Sequence, residues 1–599
     1  MKTVDRHLWQ RFWLLATPYW RSDEKWKAWG LLGLLVILLL AQTRFAVRFI
    51  EQTGEFTSAL AARNEERFWD AIRLYLILLI AAVPVYALYY FVRDKLGIHW
   101  RRWLTNRFLD RYFSHRCFYE LNGDPAIDNP DQRVAEDIAT FTQRSLYFLL
   151  VIIASVLQLI AFSAVLWSIS RELVLFLVVY AVAGTLVVVL IFGQKLMSLN
   201  FNQLRREADF RFSLVRVREN AESIAFYRGE DQEQKQVQRR FAKAFDNFNR
   251  LIRNQLALNL FQQAYNLLTL VIPSAIIASR VLSGELEVGR AVQAAGAFAA
   301  VLSAISLIVE NFESLSRFAA GVDRLDTLAR VLPGQSGGQP QGKSTIRTMD
   351  AADITLAGVT LHTPNDDRIL INNLSLTVKP GEGLMIVGES GSGKSSLLRA
   401  IAGLWRSGEG SIQRPPVADS MFLPQRPYMQ VGSLRSQLLY PQFDRELDDA
   451  VLQQALHDVN LPDLVQRSGG LDTEVDWAKT LSLGEQQRLA FARVLISAPR
   501  FVILDEATSA LDTANEARLY RRLLAEDTTL ISIAHRAAVL DHHTHVLELT
   551  GGGRWALHQA EGFAFDEGPS SRSTAADTAA TGDGAAPVNW PGAARAASA

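Results

Sequence analysis

Eight residues spaced Gly-x-x-x-x-Gly-Lys-Ser, from Gly388 to Ser395, lie within GLMIVGESGSGKSSLLRAIAGL. An apolar run precedes them and a helix-like pattern follows, the setting in which such a loop cradles phosphate. Gly388 and Gly393 let the backbone wrap an anion, and the amides of Glu389, Ser390, Gly391, Ser392 and the helix start through Ser396 can donate to it. Lys394 is placed to reach the outer phosphates, and Ser395 to bind Mg²⁺. Downstream, FVILDEATSALD is an apolar strand ending in two carboxylates. Asp505 suits a Mg²⁺ partner through its water shell, and Glu506 a base that polarises an attacking water. LISIAHR ends a second apolar run in His535, which could contact the terminal phosphate and orient that water. A lone histidine is more often structural. Between these motifs, LSLGEQQR places Ser482, Gly484 and Glu485 ahead of a helix-like pattern, far from the chain's own phosphate loop.

These residues need a scaffold, and the chain supplies two kinds. Of its 599 residues, 49% are hydrophobic, and the apolar excess lies in the first half. Equal numbers of basic and acidic residues, 62 each, give no basic footprint and no reason to expect a nucleic-acid partner. A single cysteine, Cys117, can build neither an internal disulfide nor a four-ligand zinc site. Six stretches approach the ~20 apolar residues a membrane helix needs. They run from Trp29 to Ile50, Ile72 to Val92, Leu146 to Trp167, Leu173 to Phe192, Leu260 to Leu282 and Ala291 to Phe312. Lys and Arg crowd the N-terminal segment and the two long connections, so both termini are expected inside the cell.

The expected fold is therefore multi-domain, with a six-helix all-α transmembrane domain followed by an α/β P-loop domain. Residues 1–28 read as an amphipathic segment without a removable signal, with Trp9, Phe12, Trp13, Trp20 and Trp26 suited to a membrane interface or to an ordinary helical lead-in. Residues 29–332 form the transmembrane domain, whose spans continue as cytoplasmic helices through RRWLTNRFLDRYF and FNQLRREADFRFSLVRVREN. Residues 333–351 read as a linker, 352–561 as the α/β unit and 562–599 as a tail too poor in apolar residues to fold. Gln158, Gln262, Gln263, Tyr265, Asn266 and Thr269 could line a wet cavity or bond between helices.

GESGSGKSS, Gln425 within FLPQRPY, LSLGEQQR, FVILDEATSALD and His535 occur in the order of the nucleotide-binding domain of ABC transporters, which the chain resembles. The resemblance implies ATP and Mg²⁺ as cofactors, with Gln425 in the nucleotide site and Ser395, Gln425 and Asp505 around the metal. It also implies an exporter-type membrane fold and a half-transporter that pairs with a second copy of itself. Ser482, Gly484 and Glu485 would then contact the ATP held by that copy. Leu483 stands where the family usually has Gly, Glu485 where it often has Gln, and Thr363 or His362 where an aromatic residue normally stacks on adenine.

NPDQRVAEDIATF, with Asn129, Pro130 and Asp131, and ENAESIAFYRGEDQE, with Glu222, Tyr227 and Gly229, narrow the group. They resemble segments of the peroxisomal acyl-CoA half-transporters and of bacterial SbmA/BacA-like proteins fused to an ATPase domain. Singly, each could be a charged helix cap. Jointly they suggest elements that couple ATP use to the membrane helices. The resemblance implies an inner-membrane ATPase importing peptides, antimicrobial ones included, or bulky hydrophilic solutes such as cobalamin. Acyl-CoA or lipid transport, and a nucleotide-sensing membrane regulator, are the alternatives.

Overall fold

A computed structural model of the chain describes residues 6–121, 127, 130–310, 312–333, 345–364, 368–442 and 444–565. The chain divides into two compact units, Met1–Gln339 and Pro340–Ala599.

The first unit contains six helices long and apolar enough to cross a membrane: Lys25–Ala61, Glu65–Phe113, Pro130–Ile169, Arg171–Glu219, Glu230–Leu282 and Val288–Ile305. The first five expected spans lie within the first five of them, which are far longer than a bilayer requires; the sixth expected span, Ala291 to Phe312, runs past the 18 residues of the last. At 1.5 Å per residue the 53-residue fifth helix is about 80 Å long, against a hydrocarbon core of about 30 Å. The surplus of that helix is the polar stretch 230–259, which continues into the span without a break; the two segments read as helices continuing out of the membrane, RRWLTNRFLDRYF and FNQLRREADFRFSLVRVREN, end the second and fourth long helices. Chain direction reverses where the residue types demand it. Asn64 caps the second helix by accepting from the Arg67 amide, and Glu65 and Glu66 complement the dipole in its first turn.

Packing within this unit relies on small residues and on polar bonds between helices. Gly54 and Gly289 let the first and sixth spans approach closely, where Ser58 Oγ accepts from the Gly289 amide at 3.0 Å and Gln293 Nε2 donates to the Glu51 carbonyl at 3.1 Å. Tyr180 on the fourth span and Tyr265 on the fifth stack with ring centroids 4.3 Å apart. Each hydroxyl donates to the other residue's backbone carbonyl, at 2.8 and 2.9 Å. Thr269 Oγ1 donates to the Tyr265 carbonyl at 3.0 Å. Of the polar residues considered for a cavity, Tyr265 and Thr269 are thus tied into backbone bonds.

The N-terminal helix, Arg6–Trp20, buries Leu15, Ala16 and Tyr19 in the core that also holds Trp100, Phe141 and Leu325, and leaves Trp9 and Trp13 exposed. Its two faces match the amphipathic reading. The coupling candidates lie partly in view. Pro130 opens the third long helix and Asp131 is exposed, while Asn129 falls outside the described residues. Ala221–Tyr227 is a short helix between two long ones, with Glu222 exposed and the Phe226 and Tyr227 rings 79% and 87% exposed. The left-handed residue ending it is Arg228, at φ 54°, and not Gly229.

The second unit is α/β. Its strands are β1 (Thr345–Asp350), β2 (Ile354–His362), β3 (Ile369–Val378), β4 (Leu384–Gly388), β5 (Gly408–Arg414), β6 (Ser420–Leu423), β7 (Val431–Ser433), β8 (Glu474–Asp476), β9 (Phe501–Asp505), β10 (Thr529–Ile533), β11 (His545–Gly551) and β12 (Arg554–Gln559). The larger sheet has the order β12-β11-β4-β10-β9-β6, parallel except for the β11–β12 hairpin; the smaller has the order β1-β5-β2-β3. Continuous apolar runs in β4, β9 and β10 follow from burial on both faces. Leu384 and Ile386 of β4 join the core with Leu397 and Ile412, whereas Met385 and Val387 join the core with Leu489 and Phe491.

Two expected boundaries move. Thr345–Asp350, assigned to the linker, forms β1 parallel to β5 with Ile346 buried, because β5 offers an edge with which its backbone pairs. Phe563 and Phe565, assigned to the tail, pack against the core. Residues 566–599 lie outside the described residues.

Candidate active site

The phosphate loop joins β4 to the helix Lys394–Ile401. Gly388 has φ 144°, and a Cβ there would run into the Leu549 carbonyl of β11, so this exit from the strand requires glycine. Gly393, at φ 104°, packs against the Leu370 side chain. Glu389, Ser390 and Gly391 are exposed, Ser395 and Ser396 half-buried, and Lys394 buried. Lys394 Nζ donates to the Gly388 and Glu389 carbonyls at 2.7 and 2.9 Å. Burial pulls its ammonium below the ordinary lysine range, an effect opposed by Glu506 and Asp505. Ser392 Oγ is buried without a protein partner, and a buried hydroxyl left so is costly unless a ligand satisfies it. A phosphate oxygen fits that demand.

Across the sheet, β9 ends at Asp505, whose Oδ1 accepts from Ser395 Oγ at 3.2 Å. Burial pushes the Asp505 carboxyl up, and the Ser395 hydrogen bond resists the change. These oxygens suit a hard divalent cation, which would relieve the burial of the carboxylate. Glu506 follows at φ 49°, a conformation rare for a residue with a Cβ, and its amide donates to the Ile533 carbonyl of β10 at 3.1 Å. The turn aims its carboxylate at two groups. Gln425 Nε2 donates to Glu506 Oε2 at 2.8 Å, and His535 Nε2 lies 3.4 Å from Glu506 Oε1. Five expected residues, Ser395, Gln425, Asp505, Glu506 and His535, therefore meet around the loop.

Two family-wide matches follow that geometry. Residues 15–282 match the family ABC transporter transmembrane region 2, and residues 371–509 match the family ABC transporter. An uncharacterized ABC transporter ATP-binding protein of Synechocystis sp. is 48% identical over 552 residues, covering 90% of this chain and 82% of that protein. The chain belongs to the ABC transporter family. It is a half-transporter, with one membrane region and one ATPase domain, and its ATPase activity is coupled to transport. ABC transporter D family member 2, chloroplastic, of Arabidopsis thaliana is 37% identical, covering 91% of the transporter and 86% of the plant protein. The Homo sapiens lysosomal cobalamin transporter ABCD4 is 31% identical, covering 90% and 94% respectively.

The residues expected to meet a second nucleotide lie apart from the loop. Ser482 caps the transporter's helix Leu483–Ser497 in a capping box: Ser482 Oγ accepts from the Glu485 amide at 3.3 Å, and Glu485 Oε2 accepts from the Ser482 amide at 3.0 Å. Glu485 Oε1 accepts from Arg467 at 2.7 Å. Burial tends to raise the Glu485 carboxyl, but the bonds from Arg467 and Ser482 outweigh it and hold the group below its ordinary value. Both Glu485 oxygens thus have partners in their own chain, whereas Ser482 is exposed. Gly484 sits against the Ala510 carbonyl, where a Cβ would lie 3.0 Å away.

At the position of the usual adenine-stacking aromatic, Thr363 closes a turn. Its amide donates to the Arg368 carbonyl at 3.0 Å and its Oγ1 accepts from the Arg368 amide at 3.2 Å. The His362 carbonyl accepts from Trp405 Nε1 at 3.0 Å. Sequence reasoning also passed over Gln487 and Arg493, which lie on the same helix as the capping box and are buried polar residues of the site's frame. The double glutamine in LSLGEQQR was the one visible signal for Gln487; Arg493 lies beyond that stretch.

Proposed function

We propose that this half-transporter acts as a homodimer in a bacterial inner membrane, with both termini cytoplasmic, and imports a bulky hydrophilic solute, cobalamin or a peptide, by alternating access. The observation that carries its ATPase chemistry is the convergence of Gln425 and His535 on Glu506 beside the Ser395–Asp505 pair. ATP is the substrate, bound by residues Gly388 through Ser396. Ser395, Gln425 and Asp505 would hold a Mg²⁺, which supplies positive charge against the phosphate oxygens. Glu506 accepts the proton of the attacking water, Gln425 and His535 orient that carboxylate, and His535 approaches the terminal phosphate. Ser482 and Gly484 contact the nucleotide of the second copy, with Glu485 holding Ser482 in place through the capping box. Asn129, Pro130, Asp131, Glu222, Tyr227 and Gly229 belong to the segments that carry closure to the membrane helices; the exposed Phe226 and Tyr227 rings support such a docking role.

The similarity to a protein named as a cobalamin transporter favours cobalamin among the solutes. In lipid vesicles, cobalamin or peptides should stimulate ATP hydrolysis and accumulate at its expense. Stimulation by acyl-CoA alone would overturn the solute assignment. Glu506→Gln should cut hydrolysis about a hundredfold or more while ATP still binds; unchanged hydrolysis would refute the role of Glu506.

A further inference from the structure

Gln487 lies on the helix capped by Ser482 and is fully buried, and none of its three side-chain hydrogen bonds reaches the phosphate loop, Gly388 to Ser396. Its side chain nevertheless ties two parts of the site together. Gln487 Nε2 donates to the Gln425 backbone carbonyl at 2.9 Å and to Ser509 Oγ at 3.3 Å. Gln487 Oε1 accepts from the Ala510 amide at 3.1 Å. Gln425 is the residue whose amide reaches the Glu506 carboxylate, and Ser509 lies in the turn that Glu506 opens, its own amide donating to the Glu506 carbonyl at 3.1 Å. One amide side chain, using both donor and acceptor ends, thus fixes the separation between the Gln425 backbone and the turn carrying Glu506.

The far end of the same segment is pinned from the same helix. Arg493 donates to the Tyr428 carbonyl at 2.9 Å and to the Gln437 carbonyl at 2.7 Å, and Gln437 holds Gln430 through a 2.6 Å bond to its carbonyl. The backbone that presents Gln425 therefore hangs between Gln487 and Arg493, about 1.7 turns apart on one helix.

We infer that Gln487 is a positioning residue for ATP hydrolysis, setting the Gln425–Glu506 contact through the Gln425 backbone. The assignment rests on the reading of Glu506 as base. No apolar residue of similar length can replace it without leaving the Ala510 amide and the Gln425 carbonyl unpaired in a buried place. A carboxylate can replace only half of it: Gln487→Glu keeps an acceptor for Ala510 and loses the donor to Gln425.

The test measures ATPase kinetics of the full-length protein in lipid nanodiscs, with rates normalised to bound trinitrophenyl-ATP so that unfolded molecules do not count. Gln487→Met and Gln487→Glu should each lower kcat by about tenfold to a hundredfold, with KM for ATP within about twofold. In a Gln425→Ala background, where the side chain being positioned is gone, the same substitutions should change kcat by less than about twofold. With this normalisation a residue serving only stability would leave kcat unchanged in both backgrounds, and a residue acting independently of the Gln425 side chain would give the same proportional loss in both; either result would overturn the assignment. So would a raised KM at unchanged kcat. Glu506→Gln is run alongside: unchanged hydrolysis there would remove the base and the Gln487 assignment with it, whereas a large loss there combined with an inert Gln487 would remove the Gln487 assignment alone.

Discussion

Mild acid should loosen the strand that leads to His535. His543 is buried, with Nδ1 2.8 Å from the Val539 carbonyl and Nε2 2.9 Å from Ser532 Oγ on β10. A carbonyl can only accept, so Nδ1 carries the proton and Nε2 accepts from Ser532, whose oxygen in turn accepts from Tyr520 Oη at 3.3 Å. Around this ring lie Tyr520, Ser532 and His542, and among the described residues no carboxylate pairs with it. Burial pulls its pKa from the ordinary 6.5 down to about 4, opposed by the Val539 bond and reinforced by His542. Because the folded value lies below the unfolded one, the unfolded chain binds the extra proton, and stability is lost as pH falls from 6.5 through about 4. The shift corresponds to about 3 kcal/mol in full, of which about 2 kcal/mol disappears between pH 7.5 and pH 5. Pulse proteolysis in urea, following the C-terminal unit of the full-length protein at each pH, reads this directly. In His543→Gln, which can neither charge nor be penalised for charging, the pH dependence over that window should flatten by the same amount. An equal slope in the variant would refute the reasoning.

Asp505→Asn should abolish Mg²⁺-dependent hydrolysis yet raise the melting temperature of the nucleotide-free protein at neutral pH. The folded Asp505 pKa is raised, so its ionisation costs stability as pH rises through the carboxylate range, and the amide removes that cost; a lower melting temperature would count against this account. Gly388→Ala should cost about 1–3 kcal/mol and weaken nucleotide binding, since the added methyl meets the β11 backbone at a φ that L residues avoid. Thermal melting and trinitrophenyl-ATP titration check it, and wild-type values for both would show that β4 and β11 can part without loss.

The legible parts of the site were those whose chemistry is written in neighbouring residues. Gly388 to Ser395 and Asp505–Glu506 each combine a residue-type requirement with an adjacent buried strand, and the six spans needed only length and apolarity. Other features depend on partners distant in sequence. Thr345–Asp350 becomes a strand because β5 offers it an edge, and Phe563 and Phe565 fold back because a core is there to receive them. Glu485 is expected to contact ligand, but that its carboxylate also closes the Ser482 cap and accepts from Arg467, 18 residues away, is not visible in the motif. Gln487 shows in the sequence only as the second glutamine of LSLGEQQR; its positioning role arises only when Gln425 and Ala510, 62 and 23 residues away, converge on it. The left-handed turn at Glu506 is equally invisible, since nothing local demands it.

The reciprocal tyrosines of the fourth and fifth spans limit how those helices can travel. Sliding one past the other by even one helical turn would break two hydrogen bonds at once in a medium that offers no replacement, and Gly184 beneath the Tyr265 ring has no room to spare. The two rods are therefore held in register at this point as one stiff unit. Under the alternating access proposed above, an opening on either side of the bilayer is expected to tilt this pair against the remaining helices rather than part the seam within it.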